Sequence, residues 1–375
     1  MTARNGQALA WNVEKRLASV NQNGVSIETY AYDGDGVRVS RTGMAFPTGN
    51  LVGHWNFDAA DVSGTTAYDA SWSGHDGTLT NSPASVVGQL GQATSFNGTT
   101  QYMSVANSTT GMDLSGAFSV AFWAKLNGYN GTWQQLVWKR VDDGSGAQGW
   151  QIYASDTSNT LNVARWLNGA NLGPNATYTV GTWQHWVLTY DGANLKLYRD
   201  GGQVGSTVAD ARNINGTVAL VIGGMSGSQG TNGVLDDMRI YSRALTAPEV
   251  AGLAGKQITV YVNKYYQKEV TTVVATSSYY LGDRLIATKE GSTLRYVHPD
   301  SLGSSSVATD STGNWLGTQT YKPFGENWIS SGVLGTDRKF TGQRLDSGSG
   351  LYFYNARYCD AGLGRFTSAE SIVSG

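Results

Sequence analysis

Three features of the amino-acid sequence predict an all-β protein built from antiparallel strands. Glycine occurs 49 times in 375 residues against six prolines, a balance that suits many short strands joined by tight turns. Twenty tyrosines and twelve tryptophans favour pleated, half-buried surfaces. Runs such as Phe118–Leu126 (FSVAFWAKL), Gln184–Tyr190 (QHWVLTY) and Asn194–Arg199 (NLKLYR) alternate with period two between Gly, Asn or Asp boundaries, as in a sandwich or barrel.

Taken in order, residues 1–48 are polar and turn-rich, with WNVEKRLASV (Trp11 to Val20) reading as strand. Asp33-Gly34 and Asp35-Gly36 sit between alternating runs Ile27–Tyr32 and Val37–Arg41, a strong hairpin signal because Gly accepts positive φ. Residues 49–254 change style and are rich in Trp, Gly, Asn and Asp. One stretch near their end, Leu245–Leu253 (LTAPEVAGL), reads as a short helix with Thr246 as N-cap and Pro248 in the first turn. From Lys256 the Tyr-rich style resumes (KQITVYVNKYYQKEVTTVV), with hairpins expected at Glu290-Gly291 and around Asp310–Asn314. Residues 255–375 are therefore expected to continue the sheet begun by 1–48, with Val37–Arg41 pairing beyond Lys256 and 49–254 inserted between them.

Composition excludes several function classes. A net charge of −2 with 14% charged residues leaves no basic stripe to displace counterions from nucleic acid. No run approaches the roughly 18 apolar residues of a membrane span, and MTARNGQALAWN has no apolar core of a secretory signal. Cys359 is the one cysteine, and His54, His75, His185 and His298 show no zinc spacing. No Glu lies between Leu51 and Pro248; the neighbours Asp142-Asp143 and Asp236-Asp237 would point to opposite faces of a strand. Paired carboxylates for glycoside hydrolysis and a GxSxG elbow are both missing, so the chain is expected not to be an enzyme.

Segments LVGHWNFD (Leu51–Asp58), YDASWSGHDGTLTN (Tyr68–Asn81), GQATSFNGTTQYMSV (Gly91–Val105), GTWQHWVLTYDGANLKLYRDG (Gly181–Gly201) and GVLDDMRIYSRALTAPEV (Gly233–Val250) resemble, in order and spacing, the laminin-G-like, concanavalin A-like jelly-roll family. The resemblance implies two packed antiparallel sheets with adjacent ends, carbohydrate or another extracellular ligand, and a structural calcium ion. The family's Asp-rich loop corresponds to Asp69–Gly77, with Ser73 and His75 replacing amide side chains. It places a cation near Asp69 and Asp76, with Asp236 and Asp58; the alternative is that these are turn-forming aspartates bonded to local backbone. Trp72 stands where the family usually has Gly. Trp72, Tyr129 and Trp133 are candidate ligand contacts, the alternative being loop packing or contact with a neighbouring domain. Trp55, Trp123 and Trp186, at period-two positions, read as core.

The flanking parts resemble the RHS/YD-repeat family and its RHS repeat-associated core region. Tyr321–Gly325 (YKPFG), Phe340–Arg344 (FTGQR) and Gly364–Phe366 (GRF) carry the resemblance, and YAYDGDGVRVSR is similar to the preceding repeat. It implies a twisted β-sheet into which the antiparallel jelly-roll sandwich is inserted. The family's Asp-His-Leu-Gly-Ser is replaced by Asp300-Ser301-Leu302-Gly303-Ser304 and its Tyr-Tyr-Asp-Pro by Tyr358-Cys359-Asp360-Ala361. The usual Pro-Asp-Pro context is lacking at Ala369–Val373, so the self-cleavage of some members is not expected, and the repeats are too few to enclose a large cargo. The function expected is an extracellular or cell-surface binding or adhesion protein with a glycan or surface protein as partner. The alternatives are a structural subunit that self-associates through β-edges into a filament or surface layer, and a remnant of an RHS toxin-delivery shell.

Overall fold

The computed structural model describes residues 3–4, 7–22, 25–33, 36–47, 49–59, 61–71, 73–107, 112–141, 147–214, 218–225, 229–255, 257–263, 266–269, 274–290, 292–355 and 357–368. They are nearly all β, with one short α-helix among the described residues, Ala247–Leu253. The chain divides into two compact units, Leu51–Val250 and the combination of Met1–Asn50 with Ala251–Gly375.

The discontinuous unit is built on an antiparallel sheet of thirteen strands in which neighbours in sequence are neighbours in space, apart from one junction. There the strand Arg38–Gly43 pairs with Gln257–Asn263, Gly43 opposite Gln257 and Ser40 opposite Val260. The hairpin opened by Val25–Tyr32 and Arg38–Gly43 is thus paired on its far side by the strand beyond Lys256. Asp33 organises its turn, its Oδ1 accepting the Val37 N–H at 2.8 Å. Gly34 and Asp35 lie outside the described residues, as does Gly291 of the expected Glu290-Gly291 turn. Between Ser305–Thr309 and Trp315–Tyr321 the turn is held by Asp310, whose Oδ1 accepts the N–H groups of Thr312 and Asn314.

A second sheet of this unit comprises Arg344–Asp346, Leu351–Tyr354, Arg357–Asp360 and Arg365–Phe366. It is joined to the opening hairpin by a buried cluster of charge. Arg38 donates to Asp346 Oδ2 at 2.5 Å and to the Tyr358 hydroxyl at 3.2 Å, and its guanidinium lies 4.1 Å from the centre of the Phe353 ring. Arg41 donates to Glu28 Oε1 at 2.8 Å, and the Tyr30 hydroxyl donates to Glu28 Oε2. Burial raises the Glu28 carboxyl above its usual range while the Arg41 charge opposes the rise.

The Leu51–Val250 unit is a sandwich of two antiparallel sheets. One runs Ala84–Val87, Gln92–Asn97, Asn232–Tyr241, Phe118–Leu126, Gln184–Tyr190, Asn194–Arg199, Gly202–Ala209, with Leu51–Trp55 also on Asn232–Tyr241. The other has ten strands and includes Ala170–Leu172, Thr160–Leu167, Gln148–Ala154, Gln134–Val141, Leu220–Ile222, Tyr102–Val105 and Gly77–Thr80 in that order. Inward residues of both sheets form one core around Trp55, Phe118, Phe122, Trp150, Trp186 and Met238. Trp123 is buried as well, against His185 at 5.0 Å between ring centres.

The helix Ala247–Leu253 opens with one half of a capping box. Glu249 Oε2 accepts both the N–H and the hydroxyl of Thr246, at 2.9 and 3.0 Å, the carboxylate reaching back to the N-cap as expected of a Thr followed three residues later by Glu. Arg243 clamps the same carboxylate.

Candidate functional site

Three neighbouring strands of the ten-stranded sheet, Gln134–Val141, Gln148–Ala154 and Thr160–Leu167, send alternate side chains to opposite faces. Trp150, Ile152, Leu161 and Val163 enter the core. Gln151, Tyr153 and Trp166 line a groove of about 370 Å³ on the other face. The first strand reaches that face through an irregularity. Gln135 pairs with Tyr153 but Val137 pairs with Ile152, so Leu136 is an additional residue and the facing pattern shifts by one. Gln135, Trp138 and Arg140 therefore line the groove, while Val137 and Lys139 turn inward, both fully buried. Lys139 Nζ donates to Asn107 Oδ1 and to the Val218 carbonyl, each at 2.6 Å. Burial pushes its ammonium down to about 8.

At one end of the groove Trp133, 44% exposed, meets Tyr153 edge-on with ring centres 5.3 Å apart. Beside them Gln135 Nε2 donates to Gln229 Oε1 at 2.9 Å. Gln135 and Gln151 are only 3% and 4% exposed, and the Oε1 of each has no hydrogen-bond partner. Two buried acceptors left in this state carry a desolvation cost that a ligand's hydroxyl groups would relieve. Burial also pushes the Tyr153 hydroxyl up, which keeps it protonated and able to donate.

At the other end the Arg140 guanidinium lies 4.3 Å from the Trp138 ring centre and 4.7 Å from that of Trp166. Register explains how it reaches both. Trp138 is two residues away on the same face, and Arg140 faces Gly149, which in turn faces Trp166. Gly149 presents no side chain to block the crossing. Its φ of +132° and the Lys139 carbonyl, 2.2 Å from where a Cβ would sit, exclude other residues without strain.

Of the three aromatic residues expected to touch ligand, Trp133 is the one placed at the groove. Tyr129 is 54% exposed outside the groove lining, its N–H donating to Asn159 Oδ1 at 3.3 Å. Trp72 lies outside the described residues. The sequence reading missed Gln135, Trp138, Arg140, Gln151, Tyr153 and Trp166 because strand aromatics read as core. The signal available was Gly-Trp-Gln-Ile-Tyr within Gln148–Ala154, where Gln151 and Tyr153 share one phase of the alternation and Trp150 and Ile152 the other.

The four aspartates expected to converge on one cation do not form one cluster: among the described residues, no three His, Cys, Asp or Glu side chains are placed to hold an ion. The Asp69 carboxylate accepts the N–H groups of His54, Ser71 and His75, and Asp76 accepts the Asp69 N–H at 2.8 Å. Those oxygens serve the loop's own backbone. Asp58 and Asp236 instead approach one turn. Asp58 Oδ1 accepts the Gln92 N–H and Asp236 Oδ2 the Leu90 N–H, and a Cβ on Gly91 would lie 1.9 Å from Asp58 Oδ1. Burial, then the charge of Asp237, pushes Asp236 up to about 8; its Oδ1 is buried without a partner. The adjacent Asp237 is held far below the ordinary carboxylate range despite burial, by Arg239 at 2.9 Å and His54 at 2.8 Å.

Residues 97–251 match the family model described as the concanavalin A-like lectin/glucanases superfamily, Laminin_G_3. A curated relative, the toxin subunit YenC1 of Yersinia entomophaga, is 32% identical over 82 residues, which is 20% of this chain and 8% of that protein's length. Among solved structures, domain 4 of the extracellular arabinanase AbnA from Geobacillus stearothermophilus, in complex with arabinotriose, is 19% identical. It covers 55% of this chain and 98% of its own, with a TM-score of 0.44. The binding domain of Paraclostridial Mosquitocidal Protein 1 is 17% identical, covering 75% of this chain and 73% of its own at a TM-score of 0.46. Trypanosoma rangeli sialidase in complex with the inhibitor DANA is 17% identical over 56% of this chain and 33% of its own, at 0.45. On the family match and the sandwich of two antiparallel sheets, the Leu51–Val250 unit contains a concanavalin A-like domain.

Proposed function

We propose that the Leu51–Val250 unit binds carbohydrate through the groove between Trp133 and Trp166, and that the chain is a non-enzymatic binding or adhesion protein of the cell surface or exterior. The observation that carries this reading is the pairing of an exposed Trp133–Tyr153 platform with the buried, unpartnered acceptors of Gln135 and Gln151. Aromatic faces suit the C–H faces of sugar rings, and amide acceptors suit their hydroxyls. Among the described residues no Asp or Glu lines the groove, so the paired carboxylates of a glycosidase have no counterpart there. The thirteen-stranded sheet would act as an RHS-type scaffold presenting this domain.

The cation implied by the jelly-roll family fits Asp58 and Asp236 better than Asp69 and Asp76. A half-buried carboxylate, Asp58, and a fully buried one, Asp236, with an orphaned oxygen, meet at one turn and are the hard donors calcium takes. When bound it would neutralise both and tie the Gln92 turn to the last strand; it has no part in the groove. A glycan array with and without calcium tests the reading. Glycan binding that Trp133→Ala weakens supports it, and a folded protein that binds no glycan in either condition removes it.

A second reading is favoured by one edge. The last strand of the thirteen-stranded sheet, Asn327–Gly332, leaves Trp328 65% and Ile329 56% exposed, the kind of edge that pairs with another chain. Self-assembly into a filament or surface layer would follow, and a strict monomer in light scattering at high concentration rules it out. The partial likeness to a toxin subunit supports the remaining alternative, a remnant of a toxin-delivery shell. No helix among the described residues is long and apolar enough to cross a membrane.

A further inference from the structure

We propose that the groove selects acidic polysaccharide, with one sugar ring on the Trp133–Tyr153 platform and the carboxylate of a uronic-acid unit further along the chain recognised by Arg140. The proposal rests on the saccharide reading of the groove and adds its charge preference.

The two ends of the groove differ in chemistry. The Trp133–Tyr153 end presents ring surface and neutral amides. At the other end the indoles of Trp138 and Trp166 are covered by the Arg140 guanidinium, so a ligand meets a cation there and not a bare ring. Trp138 is only 7% exposed, which confirms it as backing and not as a platform. Arg140 is the one formally charged side chain among the described groove residues. A guanidinium matches a carboxylate edge to edge while its flat faces rest on aromatic rings. Arg140 makes further contacts within the chain, and its fork of five donors has the capacity to serve a ligand alongside them.

Register sets the distance between the ends. Tyr153 and Gly149, the residue facing Arg140, are four positions apart on one strand, roughly 13 Å at 3.3 Å per residue. That span calls for an oligosaccharide, not a single sugar. A charge-assisted contact in a partly desolvated groove discriminates by about tenfold or more.

The test uses the full chain in affinity gels cast with polygalacturonate, alginate or hyaluronate, with the carboxyl-reduced form of each, and with galactan, xylan and β-glucan. The result expected is retardation by at least one acidic polymer about tenfold stronger than by its carboxyl-reduced counterpart. Arg140→Gln should remove that difference, whereas Trp133→Ala should weaken both forms. Binding to a neutral or reduced polymer as tight as to the acidic one, lost in Trp133→Ala, keeps the groove and overturns the charge preference. Retardation by none of the polymers, or retardation untouched by Trp133→Ala, overturns both. The comparison of a polymer with its reduced form needs no variant, so a misfolded Arg140→Gln leaves the outcome decisive.

Discussion

Removing the carboxylate of Asp346 should destabilise the discontinuous unit more than almost any other single polar change in it. Asp346 is 2% exposed and faces two cations, Arg38 at 2.5 Å and Arg41 at 3.9 Å, whose side chains are 1% and 8% exposed. Glu28 already accepts Arg41 and the Tyr30 hydroxyl, so Asp346→Ala leaves Arg38 buried without its carboxylate. Breaking a buried pair from one side costs about 3–5 kcal/mol. At about 2–4 °C per kcal/mol for a domain of this size, the transition of this unit should fall by about 6–20 °C. Scanning calorimetry on the full chain at pH 7 reads the shift, and the transition of the Leu51–Val250 unit is the internal control. The double variant Arg38→Met, Asp346→Leu should recover at least about 2 kcal/mol of the loss, because both charges leave together. A fall under 2 °C for Asp346→Ala, or additive losses in the cycle, would refute the account of Arg38 and Asp346 as mutually dependent buried charges.

Three further outcomes are expected. Gly149→Ala places a Cβ 2.2 Å from the Lys139 carbonyl at a φ of +132°; it should cost about 1–3 kcal/mol and remove the preference for an acidic polymer over its reduced form, and an unchanged preference would show that Arg140 does not depend on the crossing. Millimolar calcium should raise the melting temperature of the Leu51–Val250 unit in the wild type and not in Asp236→Asn; identical melting with calcium and with EDTA counts against a cation at Asp58 and Asp236. Lys139 is held at about 8 in the fold against an ordinary 10.5, so between those values the unfolded chain binds more protons and stability rises with pH. The rise, about 3 kcal/mol if complete at 1.36 kcal/mol per unit, should be absent from the wild-type-minus-Lys139→Met comparison only if Lys139 is not the buried cation.

Alternation made the strands legible and with them the core: Trp55 and Trp186 sit in it where period two places them, whereas Trp123, expected in it too, is buried against His185 on the opposite phase of its strand from Phe118, Val120 and Phe122. The groove was less legible because one residue decides its composition. Counting alternately from Gln135 puts Val137 and Lys139 beside it and sends Trp138 and Arg140 inward; the extra residue Leu136 inverts that assignment. A bulge depends on the partner strand, which local sequence does not reveal. The aspartates were ambiguous for a related reason. Asp69 has the residue type of a ligand, but its oxygens are taken by the N–H groups of His54, Ser71 and His75, and only folding shows where lone pairs are spent.

The two units also differ in how far along the chain their buried charges must look for partners. In the Leu51–Val250 unit the principal pairs are Arg165 with Asp210, Arg239 with Asp237 and Arg243 with Glu249, each formed within the unit. In the other, Arg38 stands before the sandwich and Asp346 far beyond it. The strand Arg38–Gly43 likewise has Val25–Tyr32 on one side but waits for Gln257–Asn263 on the other. Until that later segment is made, the opening hairpin carries an open edge, and Arg38 has yet to meet the Asp346 carboxylate it is buried against in the fold. The ion pairs of the sandwich need no residue from outside it, which suits a domain inserted into a sheet without preventing the sheet from closing.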